Sequence, residues 1–149
     1  MNKKMLFAWL AGFAVLFIVG FVVYEVLLKS FYADLMAKMG DCALTEPPVL
    51  PIIIAHLCFS FVLVLWLSKN NVTTFMGGVV SSFIMVLLVM IWFESWMFTF
   101  TPFITLGVAI VDVVVNTVVT LISAGVVGVV LGKVKILNEL IAHITQNDD

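Results

Sequence analysis

The sequence predicts an all-α polytopic membrane protein: a four-transmembrane-helix bundle, N-in/C-in, with a short C-terminal amphipathic helix. Three observations predict it, namely an excess of apolar residues, four apolar runs of membrane length, and lysines biased to one side. Hydrophobic residues fill 64% of the 149 positions and charged residues 11%. Soluble domains are nearer 45–50% apolar and about 25% charged. A water-soluble fold of this size could not hide that much apolar surface, so the lipid bilayer is the first partner the composition implies.

Spanning hydrocarbon takes roughly 20 apolar residues in a helix. Residues 1–132 hold four such runs, at about 5–28, 49–67, 75–93 and 103–131. Lys3 and Lys4 give the first run the look of a signal peptide. Its apolar core is about twice the length of a signal core, however, and no small-x-small cleavage site follows, so it reads as retained. The second run begins just after Pro47-Pro48, and the segment from Lys29 to Pro48 reads as one long polar loop. The third run leads into an aromatic-rich turn (Trp92, Phe93, Trp96, Phe98, Phe100, Phe103) of the kind that lines a membrane interface. The fourth follows Pro102. It is rich in Val and Ile but is assigned as helix, because an open strand cannot span a bilayer. It exceeds the membrane thickness, which tilt or a cytoplasmic projection accommodates. In residues 133–149, Val134, Leu137, Leu140, Ile141 and Ile144 recur on one helical face. That tail reads as an amphipathic extension on the membrane surface or as a docking helix.

The lysines orient the bundle. With the N-terminus inside, Lys3, Lys4, Lys69, Lys133 and Lys135 are cytoplasmic, and only Lys29 and Lys38 lie outside, as the positive-inside rule requires of an inner (plasma) membrane protein. Asp34, Asp41, Glu46 and Glu94 then fall on the outer side.

Several classes are excluded. A net charge of −2 with no arginine argues against nucleic acid. Cys42 and Cys58 form no zinc pattern, and Cys42 follows Asp41 well beyond the first apolar run, unlike a lipid-attachment site. His56 and His143 lie at opposite ends, so they cannot both ligate one haem. No enzyme or phosphate-loop motif occurs. No catalytic residue, metal or cofactor is expected.

Polar residues inside a membrane are expensive and mark candidate sites. Asp112 stands out, about ten residues into the fourth run and therefore ~15 Å deep. Thr105, Asp112, Asn116, Thr120 and Ser123 share an arc of about 80° at 100° per residue. The second run adds His56, with Ser60 one turn later on the same face. Tyr24 and Glu25 close the first run, and Glu94 closes the third. A tyrosine–carboxylate–histidine group could relay protons or hold a cation. The bland alternatives stand beside it: a Glu25–Lys29 ion pair at i,i+4, a water-facing Glu94, Asn116 as helix–helix glue, and a buried Asp112–His56 pair joining two helices.

Small residues gather in the cytoplasmic half: Gly12, Gly78, Ser82, Gly125, Gly128 and Gly132. Gly78-x-x-x-Ser82 and Gly128-x-x-x-Gly132 are spacings that let backbones approach closely. They imply a bundle pinched inside and wider outside, or a face for a second copy or partner subunit.

Gly20-Phe21-Val22-Val23-Tyr24, then Leu27-Leu28-Lys29 and Phe31-Tyr32, with Ile122-Ser123-Ala124-Gly125 through Gly128, resembles a family of small uncharacterised four-helix bacterial membrane proteins. The resemblance covers about a quarter of the chain and implies the fold without an activity. Two functions fit these residues: a binding or transport protein with an outward polar vestibule for a cation, proton or small solute, or a non-enzymatic accessory or homo-oligomeric subunit packed through its glycine faces.

Overall fold

The computed structural model describes residues 3–40 and 48–147, with side chains of the last helix described as far as Lys133. Among the described residues every element is helical. α1 is Lys3–Phe21 and continues as a π-helical turn, Val22–Leu27. α2 is Lys29–Met39, α3 Val49–Lys69, α4 Phe75–Phe100 and α5 Leu106–Asn147. Four segments are long and apolar enough to cross a membrane: Lys3–Leu27, Val49–Lys69, Phe75–Phe100 and Leu106–Lys133. Their outer faces carry large exposed apolar side chains, among them Ile18, Leu50, Val80 and Leu88, which only lipid would solvate cheaply.

Local chemistry sets the boundaries. Pro48 precedes α3 in extended conformation, and Pro51 falls in the first turn, where its missing N–H would have had no partner. Asn71 takes a left-handed conformation (φ 54°) in the turn between α3 and α4, which asparagine tolerates better than most residues. The Thr74 side chain caps α4 by accepting from the Gly77 N–H at 3.1 Å. Thr105 does the same for α5, accepting from Val108 N–H at 3.3 Å. α4 runs on to Phe100 before Thr101-Pro102 ends it, so Trp96, Phe98 and Phe100 lie on its last turns, not in a loop.

The expected loop and the expected ion pair at its start need correction. The segment after Lys29 is not a continuous loop, because α2 occupies it. Phe31, Leu35 and Met39 recur at helical spacing, and the helix breaks at Gly40, whose φ is 51°. No Glu25–Lys29 ion pair forms among the described residues. The chain turns at Leu28 (φ −104°, ψ 4°), so the two residues do not share one continuous helix. The loop residues Asp41, Cys42 and Glu46 lie outside the described residues. So do the side chains of Lys135, His143 and the apolar face of the tail, although α5 continues as one helix through Asn147.

α5 is the central helix. It packs against both α1 and α4, and α3 rests mainly on α1. Accordingly, 44% of the apolar stretch of α5 is buried within the protein, against 17% in each other span. Lys3, Lys4, Lys69 and Lys133 mark one end, the basal end; α2 leaves the first span at the other, the distal end. Ala8, Leu63, Val64, Leu67, Val86, Ala124, Val127 and Leu131 form the core, and it lies toward the basal end.

Glycine makes that convergence possible. A Cβ on Gly78 would collide with the Ala124 carbonyl, one on Gly128 with the Thr74 carbonyl, and one on Gly132 with the Thr73 carbonyl. Gly125 receives the Phe75 ring. The α5 glycine face is thus filled by α4 and the turn before it. It is not a free face for a second copy, because this chain's own backbone occupies it. Ser82 is fully buried, and its hydroxyl makes no hydrogen bond.

α1 is fastened at Gly12. The Ser123 hydroxyl donates to the Gly12 carbonyl at 2.9 Å, and the Ser60 hydroxyl to the Trp9 carbonyl at 2.8 Å. Trp9 Nε1–H returns a bond to the Leu57 carbonyl at 2.7 Å. These side chain to backbone bonds tie α1 to both α3 and α5. Ser60, expected beside His56 at a ligand, is a packing residue of the α1–α3 contact.

Candidate functional site

The distal end assembles a carboxylate and both tyrosines of the chain. Asp112 lies two turns into α5. The Tyr24 hydroxyl donates to its Oδ1 at 2.9 Å, and the Tyr32 hydroxyl donates to the same oxygen. The two phenol rings lie 5.6 Å apart, centre to centre. Hydrogen bonds to a charged acceptor are roughly twice as strong as neutral ones. Two donors on one oxygen are a strong way to hold a carboxylate away from bulk water.

The π-helical turn positions Tyr24. Leu28 N–H bonds back to the Val23 carbonyl at 2.8 Å, closing the wider turn. Such turns are rare and concentrate at functional positions. α2 then departs at Leu28, and its Tyr32 returns over Asp112. α2 has no buried residue, so Tyr32 is its hold on the bundle interior. Burial, then the hydrogen bond to Asp112 and the charge of that carboxylate, keep the Tyr32 hydroxyl protonated above the usual tyrosine range.

Glu94 is the second carboxyl of the cluster. It does not face water as a boundary residue would, being 6% exposed where α4 packs on α5. It feels the charge of Asp112. A cavity of about 280 Å³ lies against it, walled by Ile91, Phe98, Leu106 and Ile110. Two carboxyls in an apolar surrounding repel each other when both are ionised. Among the described residues, no three His, Cys, Asp or Glu side chains gather as a metal-binding group.

A larger cavity of about 850 Å³ is enclosed by α1, α3 and α5, with Met90 of α4 on its fourth side. Tyr24, Glu25, His56, Asn116 and Thr120 give its wall a polar strip, and Phe17, Phe21 and Phe59 give it aromatic surface. Asn116, one turn beyond Asp112, lies beside the Tyr24 hydroxyl. His56 Nδ1–H donates to the Ile52 carbonyl at 2.7 Å, which leaves Nε2 toward Gly20. The Phe17 ring meets the imidazole edge-on at 6.0 Å.

The structure therefore brings together Tyr24, Asp112 and Asn116, with Glu94 behind them, and sets His56, Glu25 and Thr120 around the adjoining cavity. The expected Asp112–His56 pair does not form. Asp112 takes its bonds from tyrosines, and His56 is held by its own helix. Sequence reasoning missed Tyr32 because its segment was assigned to a loop. The signal was present in Phe31-Tyr32 and Leu35-Met36, which lie one turn apart with no breaker before Gly40.

Fold and site together define, among the described residues, an all-helical fold with four membrane-length helices and a carboxylate–tyrosine centre at one end. No protein-family model, curated protein or solved structure matches it.

Proposed function

We propose that this chain is a small integral-membrane binding and transport protein of the inner (plasma) membrane. Asp112 takes a proton or cation, and the adjoining vestibule admits a small solute. The observation that carries the reading is the pair of tyrosine hydroxyls on Asp112 Oδ1, beside a cavity large enough for a ligand. A purely structural carboxylate would need no such cavity. Ionisable groups at membrane depth are expensive and mark ion and substrate pathways. The groups facing Asp112 are Tyr24 from the end of α1, Tyr32 from α2, and Glu94 from α4.

The four lysines at the basal end support an orientation with both termini cytoplasmic, which makes the vestibule outward-facing. The family resemblance in α1 and α5 fits this reading and brings no activity with it. Four helices enclose little more than one site, so a full path across the membrane would need a second copy. With the glycine face filled internally, that copy would meet another surface.

The test is thermal unfolding of the protein in nanodiscs across pH and a panel of cations and small solutes. Ligands that bind only the native state raise its stability in proportion to RT ln(1 + [L]/Kd). The wild type is expected to respond to pH and to at least one solute, and Asp112→Asn to lose both responses while remaining folded. An Asp112→Asn protein with the wild-type responses would sink the proposal.

A further inference from the structure

We infer that the larger distal cavity takes lipophilic organic cations, molecules with an aromatic or alkyl body and one positive charge. The inference rests on the binding role proposed above and names its ligand class.

The volume of about 850 Å³ falls within the range of small-molecule sites. The deep part is apolar and aromatic, with Leu16, Phe17, Phe59 and Val119 on its walls. Against those residues an inorganic ion would lose its water shell without replacement oxygens. The surface suits an apolar body, and aromatic faces attract organic cations directly.

The charge on the walls has one sign. Among the described residues Glu25 is the single charged side chain of the lining, and it is exposed. Asp112 lies just behind Tyr24. No lysine lines the cavity: Lys3, Lys4, Lys69 and Lys133 are at the basal end, and Lys29 and Lys38 belong to α2. A cleft with low-dielectric walls focuses such a field. An anion would meet the Glu25 carboxylate, with Asp112 behind Tyr24, and no compensating lysine among the described lining residues.

A polar strip runs along one wall. Thr120 is 3% exposed and lines the cavity, where its hydroxyl can meet a polar substituent on the ligand. Asn116 and His56 Nε2 extend the same strip toward the mouth.

The experiment uses two probes of one shape and opposite charge, tetraphenylphosphonium and tetraphenylborate, with triphenylphosphine oxide as the neutral probe. Binding to the full chain in nanodiscs is measured by calorimetric titration, and partition into empty nanodiscs is subtracted. The phosphonium is expected to bind saturably and the borate not at all. Glu25→Gln, at an exposed position, should weaken phosphonium binding about tenfold. Ala55→Trp, which fills the cavity from α3, should abolish it. Equal binding of borate or the neutral probe overturns the inference, as does phosphonium binding that survives Ala55→Trp. If the cations fail to bind while the Asp112-dependent pH response persists, the inference falls and the binding role stands. If both are absent, both readings fall.

Discussion

Tyr24 and Asp112 stand 88 positions apart in sequence and meet at 2.9 Å across the distal end. The bond joins the last turn of the first span to the central helix, and Tyr32 adds a second donor to the same oxygen. Interhelical hydrogen bonds in membranes average about 0.6 kcal/mol and reach about 1.7 kcal/mol. A bond to a carboxylate belongs at the upper end. Tyr24→Phe should therefore lower unfolding stability by roughly 1–2 kcal/mol. In an Asp112→Asn background the same substitution should cost distinctly less, because the charge on the acceptor is gone. A double-mutant cycle in denaturant reads the difference; equal costs in both backgrounds would show that Tyr24 acts through packing alone.

Tyr32 gives a pH dependence with a definite sign. Its hydroxyl is held protonated above the ordinary range by burial first and by Asp112 second. A group whose pKa is higher folded than unfolded favours the native state below the unfolded value, about 10 for tyrosine. That contribution is lost as pH rises through the folded value. The chain has two tyrosines, so Tyr24→Phe leaves Tyr32 as the lone phenol reporter. Phenolate absorbance should appear at higher pH than for free tyrosine. Adding Asp112→Asn should move it part of the way back, since burial remains. An ordinary titration curve in the Tyr24→Phe protein would show that Tyr32 does not rest on Asp112.

The glycines of the bundle separate into required and permissive. At Gly78 the obstacle to a side chain is the Ala124 backbone itself, which cannot rotate away. Gly78→Ala should cost about 1–3 kcal/mol, the usual range for overpacking. At Gly107 an added methyl would meet Thr105 Oγ1 at 3.8 Å, an ordinary contact. Gly107→Ala should be neutral or stabilising by up to about 1 kcal/mol, since alanine favours helix. Denaturation of the two variants side by side checks the assignment, and equal effects would contradict it.

The same distinction shows what the sequence made legible. Hydropathy alone located the four spans, because length and apolarity are what a bilayer demands of a helix. Asp112 was legible as the one carboxylate deep in an apolar run. Its partners were not: the distance from Tyr24 to Asp112 depends on how α1 packs on α5, and Tyr32 depends on a turn at Leu28 that no proline or glycine announces. The π-helical turn left no mark in composition either. Gly78 and Gly128 announced a close approach without naming the neighbour, since the spacing is the same whether the opposing backbone belongs to this chain or another. Glu94 looked like a boundary residue because α4 was read as ending near Phe93. Two further helical turns, to Phe100, place it inside the packing with α5.

Gly12 tests whether α1 is held as the geometry indicates. A methyl there would lie 2.6 Å from Ser60 Oγ and 2.7 Å from Val127 Cγ2. Both obstacles are side-chain atoms, and Ser60 Oγ is engaged with the Trp9 carbonyl. Gly12→Ala must therefore displace the serine from its bond and push back the valine, at about 1–3 kcal/mol. Ser60→Ala alone should cost about 0.6 kcal/mol, the lost bond. In the Ser60→Ala background one obstacle is already gone, so Gly12→Ala should cost less there by about 1 kcal/mol. Adding Val127→Ala should shrink its cost further. Denaturant unfolding of the single, double and triple variants measures these couplings. Costs that simply add would mean that α1 does not approach α3 and α5 at Gly12 as closely as the structure has it. No such rescue is available at Gly78, where the opposing atoms are backbone, and the contrast makes side-chain relief at Gly12 the specific result to look for.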